Sequence, residues 1–221
     1  LAVGVEQMGK MGLLGGGGGS GVKTEGVIGS MLMPAVFGQA GMEHMRKYGT
    51  TQAQFAKVAV KNHKHSTKNP LSQYRVETPL EQVLGARLVA YPNTLYMCCP
   101  TGDGAAAAVV VSAAKARQLG ATVRVLASVL TSDPYTDRDH TLPDVSTVTR
   151  HAAKIAYERA GIGPEDLDLV ELHDCFATAE LLHYENLGLC KDGEAGRLID
   201  EGQTAHGGRI PVNVSGGLLS K

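Results

Sequence analysis

Apolar and polar positions alternate along this chain in two different periods, and the switches between them outline its elements. Residues 1–6 form a short apolar run suited to a buried strand, and Gly15 to Gly19 follow as a segment with no side chains to pack. From Pro34 to Val89 the pattern turns helical and polar. Phe37, Ala40, Met42 and Met45 lie close together on one helical stretch, and Gln52 to His63 carries Phe55, Val58 and Ala59 at helical spacing. Ala105 to Val111 then reads as a buried strand, Ser112 as the cap of a helix ending at Leu119, and Gly120 as its stop. Thr122 to Leu130 places Val123, Val125, Ala127 and Val129 on one face of a further strand. A helix over Val145 to Ala160, with Val145, Val148, Ala152 and Ile155 on one stripe, stops at Gly161. Strands at Leu167 to Leu172 and around Ile210 to Val214 flank a helix from Phe176 to Leu187. Ala177, Ala179, Leu181, Leu182 and Leu187 surround that last helix, so it is expected to be buried between layers. Strand and helix alternating at this spacing predict an α/β fold with a largely parallel sheet.

The chemistry concentrates where the strand Leu167 to Leu172 ends in His173, Asp174 and Cys175. Strand ends that run into a helix are where α/β proteins place reactive groups. His173 and Cys175, two apart on an extended chain, share a face toward a cavity, while Asp174 turns into the scaffold or caps the helix. A thiol in the first helical turn would feel the positive end of the dipole, which lowers its pKa below the free value of about 8.5. Thiol and imidazole together can divide proton transfer and oxyanion stabilisation.

Composition narrows the alternatives. The chain has 221 residues, is 43% hydrophobic and carries a net charge of -1, with no basic stripe to bind nucleic acid. Its apolar runs are too short to span a bilayer. Four cysteines without a regular spacing suit a reducing compartment, and the default expectation is cytoplasmic, with the peroxisome as the eukaryotic alternative. Gly16-x-Gly18-x-x-Gly21 has the letters of a dinucleotide fingerprint, but no helix and no ribose-binding acid follow at the required places. Val22 separates Gly21 from Lys23 and breaks a phosphate loop. His63 and His65 would point about 200° apart on a helix, and Cys98 and Cys99 are adjacent, so no metal site is expected. Cys98, Cys99 and Cys190 are expected to be structural.

Several longer motifs carry a resemblance. His173-Asp174-Cys175-Phe176, preceded by Glu165-Asp166-Leu167-Asp168-Leu169-Val170-Glu171-Leu172 and followed later by Asn213-Val214-Ser215-Gly216-Gly217-Leu218-Leu219-Ser220-Lys221, resembles thiolases of the sterol-carrier-protein type. Phe37-Gly38-x-Ala40-Gly41-x-Glu43-His44-Met45, Lys61-Asn62-His63-Lys64-His65-Ser66-x-x-Asn69-Pro70 and Cys98-Cys99-Pro100-Thr101-x-Asp103-Gly104-Ala105-Ala106-Ala107-Ala108 fit the same subfamily. The resemblance implies a thiolase fold, five-layered αβαβα in two similar halves, with an inserted helical loop domain and incomplete at both ends. Residues 1–121 would be the end of the N-terminal half, including a loop domain at about 10–97 that receives coenzyme A, and 122–221 the beginning of the C-terminal half.

It also implies a reaction: cleavage of 3-oxoacyl-CoA by free coenzyme A to acetyl-CoA or propionyl-CoA and a shortened acyl-CoA, or the reverse Claisen condensation, in lipid or sterol side-chain metabolism. Coenzyme A would be a co-substrate, with no bound cofactor, and the assembly a homodimer or tetramer. Cys175 would be the acid/base, His173 an oxyanion-hole donor and Asp174 an orienting group. In the family an acylated Cys lies ahead of the strand that Leu1 begins, and Gly-His-Pro follows the equivalent of Lys221. Neither is present, so the segment alone is expected to be inactive. The alternatives are a thiolase-like retro-aldolase acting on steroid side-chain CoA esters, and a non-catalytic lipid or acyl-CoA carrier module.

Overall fold

The computed structural model describes residues 1–7, 33–132 and 147–221. The glycine-rich stretch at 15–24, with its two near-motifs, lies outside them, as does Val145. A helical layer comes first: α1 (Met33–Tyr48), α2 (Gln52–Ser66) and the short α3 (Leu80–Gly85) fill the expected helical excursion. Thr51 starts α2 with a reciprocal cap, its hydroxyl accepting from the Gln54 N–H while the Gln54 side chain accepts from the Thr51 N–H. Phe55, Val58 and Ala59 are fully buried, as their spacing predicts.

Two short strands, β2 (Leu88–Ala90) and β3 (Asn93–Thr94), close against this layer. β4 (Asp103–Ala108) follows and pairs antiparallel with β1 (Ala2–Gln7), Ala2 opposite Ala108 and Gln7 opposite Asp103. The next helix, α4 (Ala113–Leu119), has the predicted ends: the Ser112 hydroxyl accepts from the Lys115 N–H, and Gly120 takes the left-handed conformation at φ 66°. α5 (Thr147–Ala160) also stops where a glycine permits it, at Gly161 with φ 68°.

The centre of the molecule is α6 (Ala177–Asn186), with α7 (Ala195–Asp200) beside it. Nine of its ten residues are buried, which matches a helix enclosed on every side. Leu181 and Tyr184 join Phe55, Val58, Met97, Ile210, Val212 and Leu219 in one apolar cluster. The core therefore sits between α2 and α6.

The sheet departs from expectation. Both ladders among the described residues are antiparallel, and parallel pairing survives only as one bridge between Val170 and Val212. Thr122–Leu130 forms no ladder, and the runs 1–6 and 105–111, expected to be buried, are exposed. Alternating side chains state which face should be covered, whereas a strand exists only if a neighbour takes up its backbone N–H and C=O groups. β1 and β4 find each other, and their side chains stay exposed.

Candidate active site

The segment 170–175 reaches the centre of the molecule through backbone pairing on both sides. Val170 N–H donates to Pro211 O and Asn213 N–H donates back to Val170 O, at 2.9 and 2.8 Å. Asn213 adopts a left-handed φ of 52°, a conformation asparagine tolerates, and its side-chain oxygen accepts the Leu172 N–H at 2.9 Å. On the other side Cys98 bridges antiparallel to Phe176. Cys99 thereby stands opposite Cys175, and its N–H donates to Cys175 O at 2.9 Å.

His173 is exposed and lines an open depression of about 370 Å³ with Glu171, Leu172, Gly217, Leu218 and Lys221. Cys175 is half-buried on the same strand end. Asp174 points the opposite way and is fully buried, as alternation predicts. It does not cap α6; the cap position belongs to Phe176. Instead its carboxylate accepts the backbone N–H groups of Leu218, at 2.5 Å, and Leu219, at 3.3 Å, and an amide hydrogen of Asn62 at 2.8 Å. Gly217, at φ 62°, is required by this contact, because a Cβ there would collide with the carboxylate. Burial, and then the Glu180 charge, raise the Asp174 carboxyl to about 8 against the pull of the Leu218 and Leu219 N–H groups and Lys61.

The expected lowering of the Cys175 pKa is overturned. Burial is the largest influence, Cys99 and Asp174 add to it, and the thiol is pushed up to about 12. The residue precedes the helix cap rather than occupying the first turn, where a dipole acts most strongly. Cys98 and Cys190 are likewise pushed up to about 12, chiefly by burial, and Cys99 is raised. His63 and His65 face different partners, Thr78 and Asn213 O, and among the described residues no group of three or more His, Cys, Asp or Glu side chains could hold a metal ion.

Beneath the site lies a polar cluster that the pattern of the sequence passes over. Lys61 donates to Glu180 at 2.8 Å, to the Asn62 side-chain oxygen at 2.7 Å and to Val212 O at 2.7 Å. Glu180 also receives Tyr184 at 2.5 Å, Asn62 at 2.6 Å and Asn213 at 2.7 Å. Its presence was foreshadowed by position: Lys61 and Asn62 fall on the Phe55–Val58 face of α2, and Glu180 sits on a helix with no outward face. Charged groups so placed must be paired inside.

Residues 132–221 match the family described as Thiolase C-terminal domain-like. Sterol carrier protein 2 of Rattus norvegicus is 42% identical over 207 residues, covering 90% of this chain and 38% of the relative. The chain belongs to the thiolase superfamily, in its sterol-carrier-protein branch. Benzoylsuccinyl-CoA thiolase subunit BbsB of Thauera aromatica is 42% identical over 193 residues, which are 86% of the chain and 49% of that relative. This thiolase-superfamily chain thus spans about two fifths to half the length of these relatives. Among solved structures, the Ltp2-ChsH2(DUF35) aldolase superposes with a TM-score of 0.72 at 27% identity, covering 87% of the chain and 52% of the other. The chain has a thiolase-like fold, the fold class that the motifs imply.

Proposed function

We propose that the chain carries the acid/base and oxyanion side of an acyltransferase that cleaves 3-oxoacyl-CoA with free coenzyme A. The observation that carries the reading is the strand end itself, where His173 lines an open depression and Cys175, two residues on, is half-buried with its thiol pushed up to about 12. The names of the thiolase relatives support the reaction class.

On this reading the thiolate of a second Cys, which the family carries ahead of the strand matching residues 2–7, attacks the 3-oxo carbon and becomes acylated. The bond between the α and β carbons breaks, and the acetyl-CoA enolate departs. His173 donates a hydrogen bond to the enolate oxygen, and Cys175 gives its proton to the α carbon. The resulting Cys175 thiolate takes the proton of incoming coenzyme A, whose sulfur attacks the acyl-Cys thioester and releases the shortened acyl-CoA. A thiol kept protonated at rest is the form that cleavage consumes first. Residues 1–121, with a loop domain at about 10–97, would belong to one thiolase half and 122–221 to the other. The working assembly would be a homodimer or tetramer.

A retro-aldolase is the second reading, favoured by the superposition on an aldolase. The two differ in what they consume. The protein encoded by the complete gene, incubated with 3-oxoacyl-CoA, should form acetyl-CoA only when free coenzyme A is added. Cleavage of a 3-hydroxyacyl-CoA to an aldehyde or ketone without coenzyme A, and no turnover of the 3-oxo ester, would replace thiolysis by aldol cleavage.

A further inference from the structure

The buried cluster under the site has a feature that accidental burial does not produce: its members are saturated. All three ammonium hydrogens of Lys61 are used, on Glu180, Asn62 and Val212 O. Glu180 accepts from four donors, Lys61 and Tyr184 on one oxygen, Asn62 and Asn213 on the other. The Asn62 amide gives one contact to Glu180 and one to Asp174 while its oxygen takes Lys61. Asn62 is fully buried, as are Glu180, Asp174 and Asn213.

The connectivity leads to the strand end from both directions. Asn213 holds the Leu172 N–H, immediately before His173. Asp174, between His173 and Cys175, holds the N–H groups of Leu218, which lines the depression, and of Leu219. Asn62 joins Asp174 to the Glu180–Asn213 half of the cluster.

We propose that Lys61 and Asn62 are positioning residues for the reaction at the His173–Cys175 strand end, acting from the helical layer through Glu180, Asn213 and Asp174. This rests on the acyltransferase reading. Asn62 sets the rotamer of Asp174, which fixes the spacing between the His173–Cys175 strand end and the 217–219 turn. Lys61 anchors Asn62 and Glu180, so that neither can rotate away. Reacting groups misplaced by about 1 Å can lose about 100-fold in rate, which gives a remote amide a large lever on turnover.

The test uses the protein encoded by the complete gene, with 3-oxoacyl-CoA and coenzyme A. Asn62→Leu keeps the approximate shape and removes every hydrogen bond of the amide. Its kcat should fall about 10- to 100-fold with KM for the acyl-CoA changed by less than about threefold, a split that marks loss of geometry in the transition state. In an Asp174→Asn background the same substitution should cost less than about twofold in kcat, because the route through Asp174 is already altered. If Asn62→Leu does not fold, Lys61→Met combined with Glu180→Gln, which replaces both ends of the buried pair by neutral shapes, takes its place with the same expected split. Full kcat in either folded variant overturns the proposal, provided that Cys175→Ala is inactive. Full activity of Cys175→Ala would instead remove the acyltransferase reading itself.

Discussion

The α2–α6 core and the β1–β4 ladder both carry apolar residues and end in opposite states. Phe55, Val58 and Leu181 are wholly enclosed, while Val3 is 62% and Val5 77% exposed in a ladder that pairs its backbone and covers no side chain. The difference lies in partners. α6 is surrounded by α1, α2, α5 and α7, so its apolar circumference is matched on every side, whereas the ladder partner of β1 among the described residues is β4 alone. Hydrophobic burial, worth about 25 cal/mol per Å² of apolar area, stabilises the first region and contributes little in the second.

Substitutions can sharpen that contrast. The largest effect is expected from Lys61→Met, which leaves Glu180 and Asp174 enclosed without their cation; urea unfolding should show a loss of about 3–5 kcal/mol, mostly recovered by adding Glu180→Gln. Leu181→Ala comes next at about 3 kcal/mol, the cost of a cavity in a core that cannot collapse around it. Val3→Thr should change stability by less than about 0.5 kcal/mol, and a larger loss would mean that the ladder is covered in solution.

Between these in size lies a pH effect confined to the core. His65 and His183 are both lowered to about 4, first by burial, then by the Lys61 charge for one and by His173 for the other. Their pKa values in the folded chain fall below the unfolded value of about 6.5, so the unfolded chain binds more protons between the two. Stability from this source is complete above about 6.5 and is lost as pH falls toward 4. Asp174, raised, works in the opposite sense and contributes most below its unfolded pKa. Replacing both histidines by glutamine should flatten the acid limb of the midpoint against pH, and an unchanged limb would assign it to other groups.

Helix ends were legible because single residues decide them. Ser112 and Gly120 fix α4, and Gly161 ends α5. The enclosure of α6 was legible too, since its apolar residues leave no outward face. Strand existence was not always legible, because Thr122–Leu130 alternates as a strand should and has no ladder partner among the described residues. At the site, the turning of Asp174 inward while His173 stays exposed at the depression follows from alternation alone. The thiol pKa did not follow, because proximity to a helix start says nothing of desolvation, which dominates at Cys175. The burial of Lys61, Asn62 and Glu180 was not legible, since a polar letter is ordinarily assigned to the surface and only the packing of α2 on α6 turns them inward.

The most direct measurement is steady-state thiolysis by the protein encoded by the complete gene and by its Cys175→Ala variant, at saturating 3-oxoacyl-CoA and coenzyme A. Loss of the acid/base thiol should lower kcat about 100- to 10,000-fold with the fold intact by circular dichroism. A folded Cys175→Ala enzyme with kcat within twofold of the parent would contradict the central claim.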